Sequence, residues 1–409
     1  MARKIAIVGA GQAGLQLGFA LLKEGYSVTL VTDKTGDEIA ASQITATPAL
    51  YWRGQQFEHD LGIDYWDDEV FSNKEVQLGI RNEHGELQLR VAGQFINGTA
   101  QMIDLRLKYP RWIEEFSRRG GELINGRPDV AALDTLAAAH DLLFIATGRA
   151  NTSLFERNAE RSIWPGPLRR VRAIFLDAPD LDRWNNTFVP GIGELAASPA
   201  LGLGNRPGQA LLVWGNLGGP LDFADGLNGA EVTEGIKAAF QRYNPDYYDE
   251  IADKNLLDDK AWVTGAVTPI VRNPTARLPS GRLAVALGDA AITVDPLTGQ
   301  GLNNASYSAD VFARSILAQG DEPLDAAWAE STAEDAWDFI RHSYLLNRVL
   351  LDPPSHQDPV FPAASRNPRL ADELISGFPD PETTAWLHDP AKVNAKLLAH
   401  PPVADIAAE

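Results

Sequence analysis

The first 33 residues constrain the fold of this chain more than any other segment. Residues 5–8 are an apolar run that predicts a buried β-strand, and residues 15–25 follow with the periodicity of an amphipathic helix. A turn with the spacing G-x-G-x-x-G joins them, and a second apolar run at residues 27–31 predicts the next strand. In this strand–turn–helix–strand order, the glycine pattern indicates a dinucleotide-binding unit.

Each glycine has its own task in such a turn. Gly9 permits the tight turn, Gly11 lets the backbone approach a pyrophosphate, and Gly14 lets the helix pack closely on the strand. The N–H groups and the positive dipole end of the helix then face the phosphates. The alternative is a glycine-rich turn without a ligand. The predicted contacts of a bound ADP moiety are Gly9, Ala10, Gly11, Gln12, Ala13, Gly14, Thr32 and Asp33.

A second glycine-rich segment lies late in the chain. Residues 283–287 predict another strand of the core sheet, which leads into Gly288-Asp289, and residues 293–305 read TVDPLTGQGLNNA. A helix is predicted from there to about residue 318. Its positive end can stabilise negative charge on a bound ligand. The alternative is a loop that only caps a structural helix.

Composition excludes several classes of function. No run approaches the roughly 18 apolar residues that a membrane span requires, and the N-terminus lacks a signal-peptide pattern, which predicts a cytoplasmic protein. With no Cys and seven scattered His, the chain has no expected disulfide, thiolate ligand or metal site. The net charge of −19 disfavours nucleic acid and anionic membranes as partners.

The two motifs together resemble the FAD-dependent monooxygenases of the aromatic hydroxylase superfold. An N-terminal G-x-G-x-x-G is paired with a late Gly-Asp…Asp-Pro-x-x-Gly-Gln-Gly-x-Asn. The resemblance implies that Asp289 binds the ribityl or pyrophosphate region and that residues 296–303 pack beside the isoalloxazine. The further cofactor contacts that it implies are Arg106, Gly148, Gly288, Pro296, Gly299, Gln300, Gly301 and Asn303.

Longer stretches are similar to the styrene and indole monooxygenases. They are residues 281–307, the segment with Thr32-Asp33, and the element Asp104-x-Arg106-Leu107 with Gly120-Gly121 after it. The resemblance implies an α/β fold in which a Rossmann-like FAD-binding domain of the aromatic hydroxylase type carries an inserted β-rich substrate domain. The expected FAD-binding parts are residues 1–75, 104–168 and 272–322, the substrate-domain parts are 76–103 and 169–271, and C-terminal helices occupy 323–409.

The same resemblance implies the oxygenase component of a two-component system. A separate NADH-dependent flavin reductase supplies reduced FAD, O2 forms a C4a-hydroperoxyflavin, and an uncharged aromatic alkene or indole is epoxidised, with sulfoxidation also expected. Whether the protein forms a homodimer stays open. Single-component hydroxylases carry an Asp-Gly pair after the strand that here ends at Thr147, whereas this chain has Gly148-Arg149. That absence argues against a nicotinamide site.

The expected substrate pocket is apolar, and its wall matches neither branch of the family fully. Ala46 stands where the styrene branch has Asn, and Pro48 and Leu50 replace its Val and His, whereas Ala100 matches the indole branch. Thr47 and Pro296 are the candidate catalytic contacts, although Thr47 before a proline is also typical of a structural residue. The predicted wall consists of Ile44, Ala46, Thr47, Pro48, Leu50 and Ala100.

Two other functions stay open from the sequence. A self-sufficient aromatic hydroxylase would oxidise NAD(P)H without a partner, and a non-catalytic flavin-binding protein would form no long-lived peroxyflavin. A flavin-dependent halogenase is disfavoured, because none of the ten Trp falls in the pattern Trp-x-Trp-x-Ile-Pro.

Within the expected substrate domain, residues 262–271 predict one long strand.

Overall fold

The computed structural model describes residues 3–66, 74–150, 152–179, 183–223 and 228–403. The strands in these ranges are β1 (Lys4–Val8), β2 (Ser27–Thr32), β3 (Ala49–Tyr51), β4 (Glu75–Arg81), β5 (Leu87–Gln94), β6 (Ala100–Met102), β7 (Glu122–Asn125), β8 (Leu142–Ile145), β9 (Arg169–Leu176), β10 (Trp184–Val189), β11 (Gly193–Gly202), β12 (Arg206–Asn216), β13 (Trp262–Ala266), β14 (Ile270–Val271), β15 (Thr275–Arg277), β16 (Leu283–Ala286) and β17 (Ile292–Thr293).

The helices of the same ranges are α1 (Gln12–Lys23), α2 (Gly36–Ala40), α3 (Trp52–Leu61), α4 (Leu105–Arg118), α5 (Val130–Ala139), α6 (Gly229–Tyr243), α7 (Pro245–Ile251), α8 (Gly301–Gln319), α9 (Ala326–Leu351), α10 (Val360–Ala364), α11 (Pro368–Ser376) and α12 (Pro390–Ala399). Short 3₁₀ helices lie at Thr152–Leu154, Gly288–Ala290, Pro296–Thr298, Ser355–Gln357 and Pro381–His388.

The first sheet has six strands in the order β15-β16-β8-β1-β2-β7. All neighbours are parallel except β15, which is antiparallel to β16. Successive residues of β1 are buried on opposite faces: Ile5 and Ile7 pack with α1, α4 and α8, whereas Ala6 and Val8 pack with α5. Burial on both faces explains why its central strands are continuous apolar runs. The predicted Rossmann-like α/β architecture is confirmed.

The second sheet has seven strands in the order β13-β9-β12-β11-β10-β4-β5. Its neighbours are antiparallel, apart from the parallel pair β10 and β4. On one face Ile174, Leu211 and Val213 pack against Val232 and Phe240 of α6. Because side chains alternate along a strand, the intervening residues point to the other face, which forms the cavity described below.

The predicted single strand over residues 262–271 is wrong. Trp262–Ala266 pairs with β9 in the seven-stranded sheet, whereas Ile270–Val271 pairs with Ile292–Thr293 in a separate two-stranded ribbon. Pro269 lies in the interruption and has no N–H to donate to a sheet. At this point the chain leaves the seven-stranded sheet and enters the two-stranded ribbon.

The C-terminal part begins with the long helix α9. Asp325 caps it, since its carboxylate accepts a hydrogen bond of 2.9 Å from the N–H of Trp328. Further along, Leu370 and Leu374 of α11 are buried in the same core as Val91 of β5. Among the described residues, the helices lack the combination of length and hydropathy that a membrane crossing requires.

Two buried arginines link segments that are distant in the sequence. Arg169, at the start of β9, binds Glu194 of β11 and Asp295, which precedes the 3₁₀ helix Pro296–Thr298. Its burial lowers the pKa of the guanidinium, whereas Asp295 raises it. Arg106 at the start of α4 likewise binds Asp104 at 2.6 Å and Asp258 at 2.7 Å.

Replacing Arg169 should destabilise the whole fold. We expect Arg169→Met to lower the free energy of unfolding by about 3–5 kcal/mol, because two buried carboxylates lose their counter-charge. Arg314→Met is the matched control, since Arg314 pairs with Asp310 on an exposed helix surface and should cost under about 1 kcal/mol. Urea unfolding at neutral pH measures both. Equal costs would contradict the role assigned to Arg169.

Candidate active site

One cavity of about 640 Å³ extends from the six-stranded sheet to the seven-stranded sheet. Its first part is lined by residues that follow three parallel strands: 11–13 after β1, 146–150 after β8, and Asp289 after β16. Ligands of open α/β sheets bind at this carboxyl edge. Its second part lies on the cavity face of the seven-stranded sheet, so a single space connects the nucleotide turn to an apolar wall.

The three glycines of the nucleotide turn occupy different surroundings. Gly9 has φ = +119°, and a Cβ there would overlap the carbonyl oxygen of Ala146. A Cβ on Gly14 would overlap the carbonyl oxygen of Gly9. A Cβ on Gly11 would meet no atom of the described residues within 4 Å, and Gly11 itself lines the cavity. Gly9 and Gly14 therefore serve the fold, whereas Gly11 leaves room for a ligand.

A buried polar network supports the start of α1. The amide nitrogen Nε2 of Gln12 donates to Glu58 Oε1 at 2.8 Å and to Ser306 Oγ at 3.1 Å. Lys108 Nζ also contacts Glu58 Oε1, at 2.5 Å. Gln12 Oε1 is buried without a hydrogen-bond partner among the described residues, and Gln12 lines the cavity. One acceptor thus stays free at the nucleotide end.

The end of β2 lies outside the cavity lining. Thr32 Oγ1 donates to the carbonyl oxygen of Lys34 at 2.8 Å, and the exposed carboxylate of Asp33 accepts from Arg127 at 3.0 Å. Ala10 is buried beneath the turn and does not line the cavity either, whereas Ala13 does.

Asp289 brings a carboxyl group to the cavity wall. Gly288 before it has φ = +62°, which allows the short 3₁₀ turn that carries it. Burial raises the pKa of Asp289 to about 6, although the positive charges of Arg149 and Arg272 lower it. A partly desolvated carboxyl at this edge is suited to accept hydrogen bonds from ligand hydroxyl groups.

The loop of residues 295–301 leads from the ribbon into α8, and Pro296, Gly299 and Gly301 line the cavity. Asp295 caps its 3₁₀ turn by accepting from the N–H of Leu297 at 3.0 Å. Gly299 adopts φ = +66°, a left-handed conformation that favours glycine. No side chain caps the N-terminus of α8, so its first N–H groups are available at the cavity.

Three predicted cofactor contacts bind protein groups instead of lining the cavity. Asn303 accepts from the N–H of Tyr51 at 2.8 Å and donates to the carbonyl oxygens of Ala49 and Gly299. Gln300 donates to the carbonyl oxygen of Phe378. Arg106 is held by Asp104 and Asp258, as described above. These side chains fix the loops that surround the cavity, whereas Gly148, with φ = +63°, does line it.

The predicted substrate wall is divided in the structure. Ala46, Thr47 and Pro48 line the cavity. The side chains of Ile44, Leu50 and Ala100 are 3%, 2% and 1% exposed and do not line it, since they pack into the protein core. The backbone N–H of Ile44 bonds to the carbonyl oxygen of Lys260 at 3.1 Å, which turns this segment toward the seven-stranded sheet.

Most of the apolar wall was not identified from the sequence. We call it the apolar chamber, and it is the cavity face of the seven-stranded sheet. The sequence signal that could have found these residues is the alternation of side chains at i and i+2 within β9, β10, β11 and β12. None of these four strands carries a recognisable motif. The chamber consists of Val171, Ala173, Trp184, Asn186, Ala196, Ser198, Leu212 and Trp214.

Comparison with known proteins identifies this architecture. Residues 148–250, which include most of the apolar chamber, match a family model described as "Styrene monooxygenase A putative substrate binding domain". The styrene monooxygenase StyA of Pseudomonas fluorescens is 28% identical in an alignment 403 positions long, which covers 93% of this chain and 94% of StyA. This similarity along nearly the full length of both chains supports the predicted styrene monooxygenase family. The predicted enzyme class, a FAD-dependent monooxygenase, is confirmed.

Solved structures share the fold of this chain. A flavoprotein/dehydrogenase from Cytophaga hutchinsonii superposes with a TM-score of 0.70 at 12% identity, covering 97% of this chain and 99% of that one. The p-nitrophenol 4-monooxygenase PnpA of Pseudomonas putida DLL-E4 gives a TM-score of 0.62 at 14% identity, with coverages of 96% and 98%.

The cavity fits a flavin nucleotide. Gly11 leaves open the space that a Cβ would take, and Gln12 Oε1 offers a free acceptor beside it. The N-termini of α1 and α8 both reach the cavity without a side-chain cap, which suits a pyrophosphate at one and an electron-rich ring at the other. Asp289 presents an acceptor between them.

Substitution of Gly11 should separate flavin binding from folding. Gly11 has φ = −93° and ψ = −170°, which valine also adopts, so Gly11→Val should fold normally while its side chain fills the ligand space. We expect FAD binding to be lost in a fluorescence titration, with little change in melting temperature. Gly14→Val is the control, because its clash is with backbone and should lower the melting temperature. Unchanged FAD affinity in Gly11→Val would refute the nucleotide assignment.

Asp289 should make stability depend on pH. Its pKa is about 6 in the folded chain and 3.8 in the unfolded chain, so folding binds a proton between these values and stability falls as pH rises through them. Asp289→Asn should therefore stabilise the ligand-free protein increasingly, by about 2 kcal/mol more at pH 7 than at pH 4. Urea titrations at both values test this. A stability difference that does not vary with pH would contradict it.

Proposed function

We propose that this protein is the oxygenase component of a two-component system. It takes reduced FAD from a separate NADH-dependent flavin reductase and uses O2 to epoxidise an uncharged aromatic alkene or indole, and it also oxidises aryl sulfides to sulfoxides. Bound reduced FAD supplies, with O2, the oxygen atom that is transferred. The chain's residues bind the nucleotide, orient the substrate and exclude water.

The observation that carries this proposal is the distribution of charge along the cavity. Among the described lining residues, Arg149 and Asp289 carry charge, and both belong to the nucleotide end. The apolar chamber has no charged side chain that would hold a carboxylate or phosphate. A site of this kind selects by shape and by excluding water, which supports a neutral aromatic substrate.

The uncapped N-terminus of α8 supports capture of the reduced cofactor. Reduced flavin is anionic at neutral pH, whereas the ring of oxidised flavin is neutral. The free N–H groups and the positive dipole end at Gly301 favour the anionic form. Reduced FAD that diffuses from a reductase can thus be retained, and oxidised FAD released, without a tightly held prosthetic group.

Oxygen transfer also requires that water be kept from the reacting centre. Pro48 of the 45–49 loop and Leu297 of the 295–301 loop line the cavity, and Trp184 and Trp214 line the chamber. These loops are fixed by Tyr51, whose hydroxyl donates to the carbonyl oxygen of Thr298 at 2.9 Å. Rigid apolar walls of this kind support productive oxygenation.

The system should need the reductase only for reduced FAD. We expect no NADH oxidation by the purified chain with FAD, and styrene oxide once an unrelated flavin reductase is added. Photoreduced FAD, mixed anaerobically with the chain and then with O2 and styrene, should give product in one turnover without any reductase. Chromatography of the products and an assay for hydrogen peroxide measure the outcome.

Other outcomes would select a rival function. NADH consumption by the chain alone would identify a self-sufficient hydroxylase. Binding of FAD with peroxide release and no product from styrene, indole or methyl phenyl sulfide would identify a non-catalytic flavin protein. Turnover restricted to charged aromatics such as 4-hydroxybenzoate would contradict the assignment of the chamber.

A further inference from the structure

One row of side chains across the seven-stranded sheet contains a polar residue that the proposed reaction does not explain. The register pairs Asn186 with Ala196, Ala196 with Leu212, Leu212 with Ala173, and Ala173 with Val263. All five residues line the cavity. Four have small or branched apolar side chains, so the carboxamide of Asn186 interrupts an otherwise apolar row.

The carboxamide oxygen of Asn186 is unsatisfied. Oδ1 is buried and receives no hydrogen bond from any residue that the structure describes. An unpaired polar atom in an apolar wall lowers the stability of the fold, and native proteins rarely retain one without a partner. The neighbouring Asn185 shows the ordinary situation, since its Oδ1 accepts from Asn244 at 3.3 Å on the opposite face.

The other polar groups of the chamber differ from Asn186. Ser198 Oγ has one hydrogen bond, which it donates to the sulfur of Met102 at 3.7 Å, and it keeps lone pairs that can accept; Ser198→Ala is therefore the comparison used below. The indole nitrogens of Trp184 and Trp214 are buried without partners, but each carries an N–H and is a donor only. Asn186 Oδ1 is thus a buried acceptor that has no hydrogen bond at all among the residues that the structure describes.

A free acceptor in an apolar aromatic pocket is complementary to a ring N–H. Styrene and aryl sulfides have no such group, whereas indole has one and is otherwise apolar. We propose that Asn186 is a specificity-determining residue whose carboxamide accepts the ring N–H of an indole-type substrate and so selects it over styrene. This inference rests on the proposed function for the identity of the site, and it names the substrate class that the site prefers.

Indole and indene provide a matched test, because indene replaces the N–H by a methylene group with almost the same ring shape. Calorimetric titration of the FAD-loaded protein should show indole binding at least about 10-fold more tightly than indene. Asn186→Leu, of similar volume, should weaken indole binding about 10- to 100-fold and leave indene within about 3-fold. The ratio of kcat/KM for the two substrates should shift in the same direction.

Ser198→Ala is the control on the same face, and it should leave the indole-to-indene ratio unchanged. Asn186→Leu should melt at or above the temperature of the wild type, because it removes an unpaired polar group; Asn186→Val serves if leucine does not fit. An unchanged ratio in these variants would overturn the proposal. So would an equal loss for both ligands, which would indicate a packing role.

The two proposals fail separately. If wild-type protein supplied with reduced FAD oxygenates neither compound, the oxygenase assignment is refuted, but the binding ratio still tests Asn186. If styrene is oxygenated and indole binds no better than indene, the oxygenase assignment stands and the role of Asn186 is refuted.

Discussion

The attachment of the 295–301 loop to the seven-stranded sheet depends on the buried guanidinium of Arg169. It extends from the first residue of β9 to Glu194 of the same sheet and to Asp295 of the 295–301 loop. Because these charges are removed from water, each carboxylate needs the arginine to remain ionised at low cost. Asp295 in turn binds the N–H of Leu297 and sets the turn that presents Pro296. A residue of the substrate-side sheet therefore fixes the loop that borders the flavin site.

Hydrogen bonds from α8 continue this connection to the opposite wall. Asn303 joins the backbone of β3 to Gly299, and the hydroxyl of Tyr51 reaches Thr298. Arg106 adds a further link, because it binds Asp258 in the segment whose Lys260 carbonyl accepts the N–H of Ile44. The loops on both sides of the cavity are thus held by side chains behind it, which suits a reaction that needs a fixed, dry space.

The sequence was sufficient for features that depend on neighbouring residues. The turn of Gly9, Gly11 and Gly14 and the helix after it follow from local spacing, and the family resemblance implied a ligand contact for Asp289. Features set by distant contacts could not be predicted. Nothing near Asn303 or Arg106 indicates that their partners lie some 250 and 150 residues away. The residues of the apolar chamber alternate along their strands, but only the order and register of the sheet show which alternating set faces the cavity.

The electrostatic environment inside the cavity differs from that of the protein surface. The net charge of −19 would repel an anionic reduced flavin at long range, yet at physiological ionic strength this field decays over about 8 Å. Inside the cavity the dominant fixed dipoles are the N-termini of α1 and α8, and both are positive. Asp289 opposes them, because a carboxyl with a pKa of about 6 is mostly ionised at neutral pH, whereas the guanidinium of Arg149 at the same end of the cavity acts with them. Under the proposed function, these charges and dipoles act on the cofactor, while the apolar chamber, which lacks charge, leaves the choice of substrate to shape and to the few polar atoms in its wall.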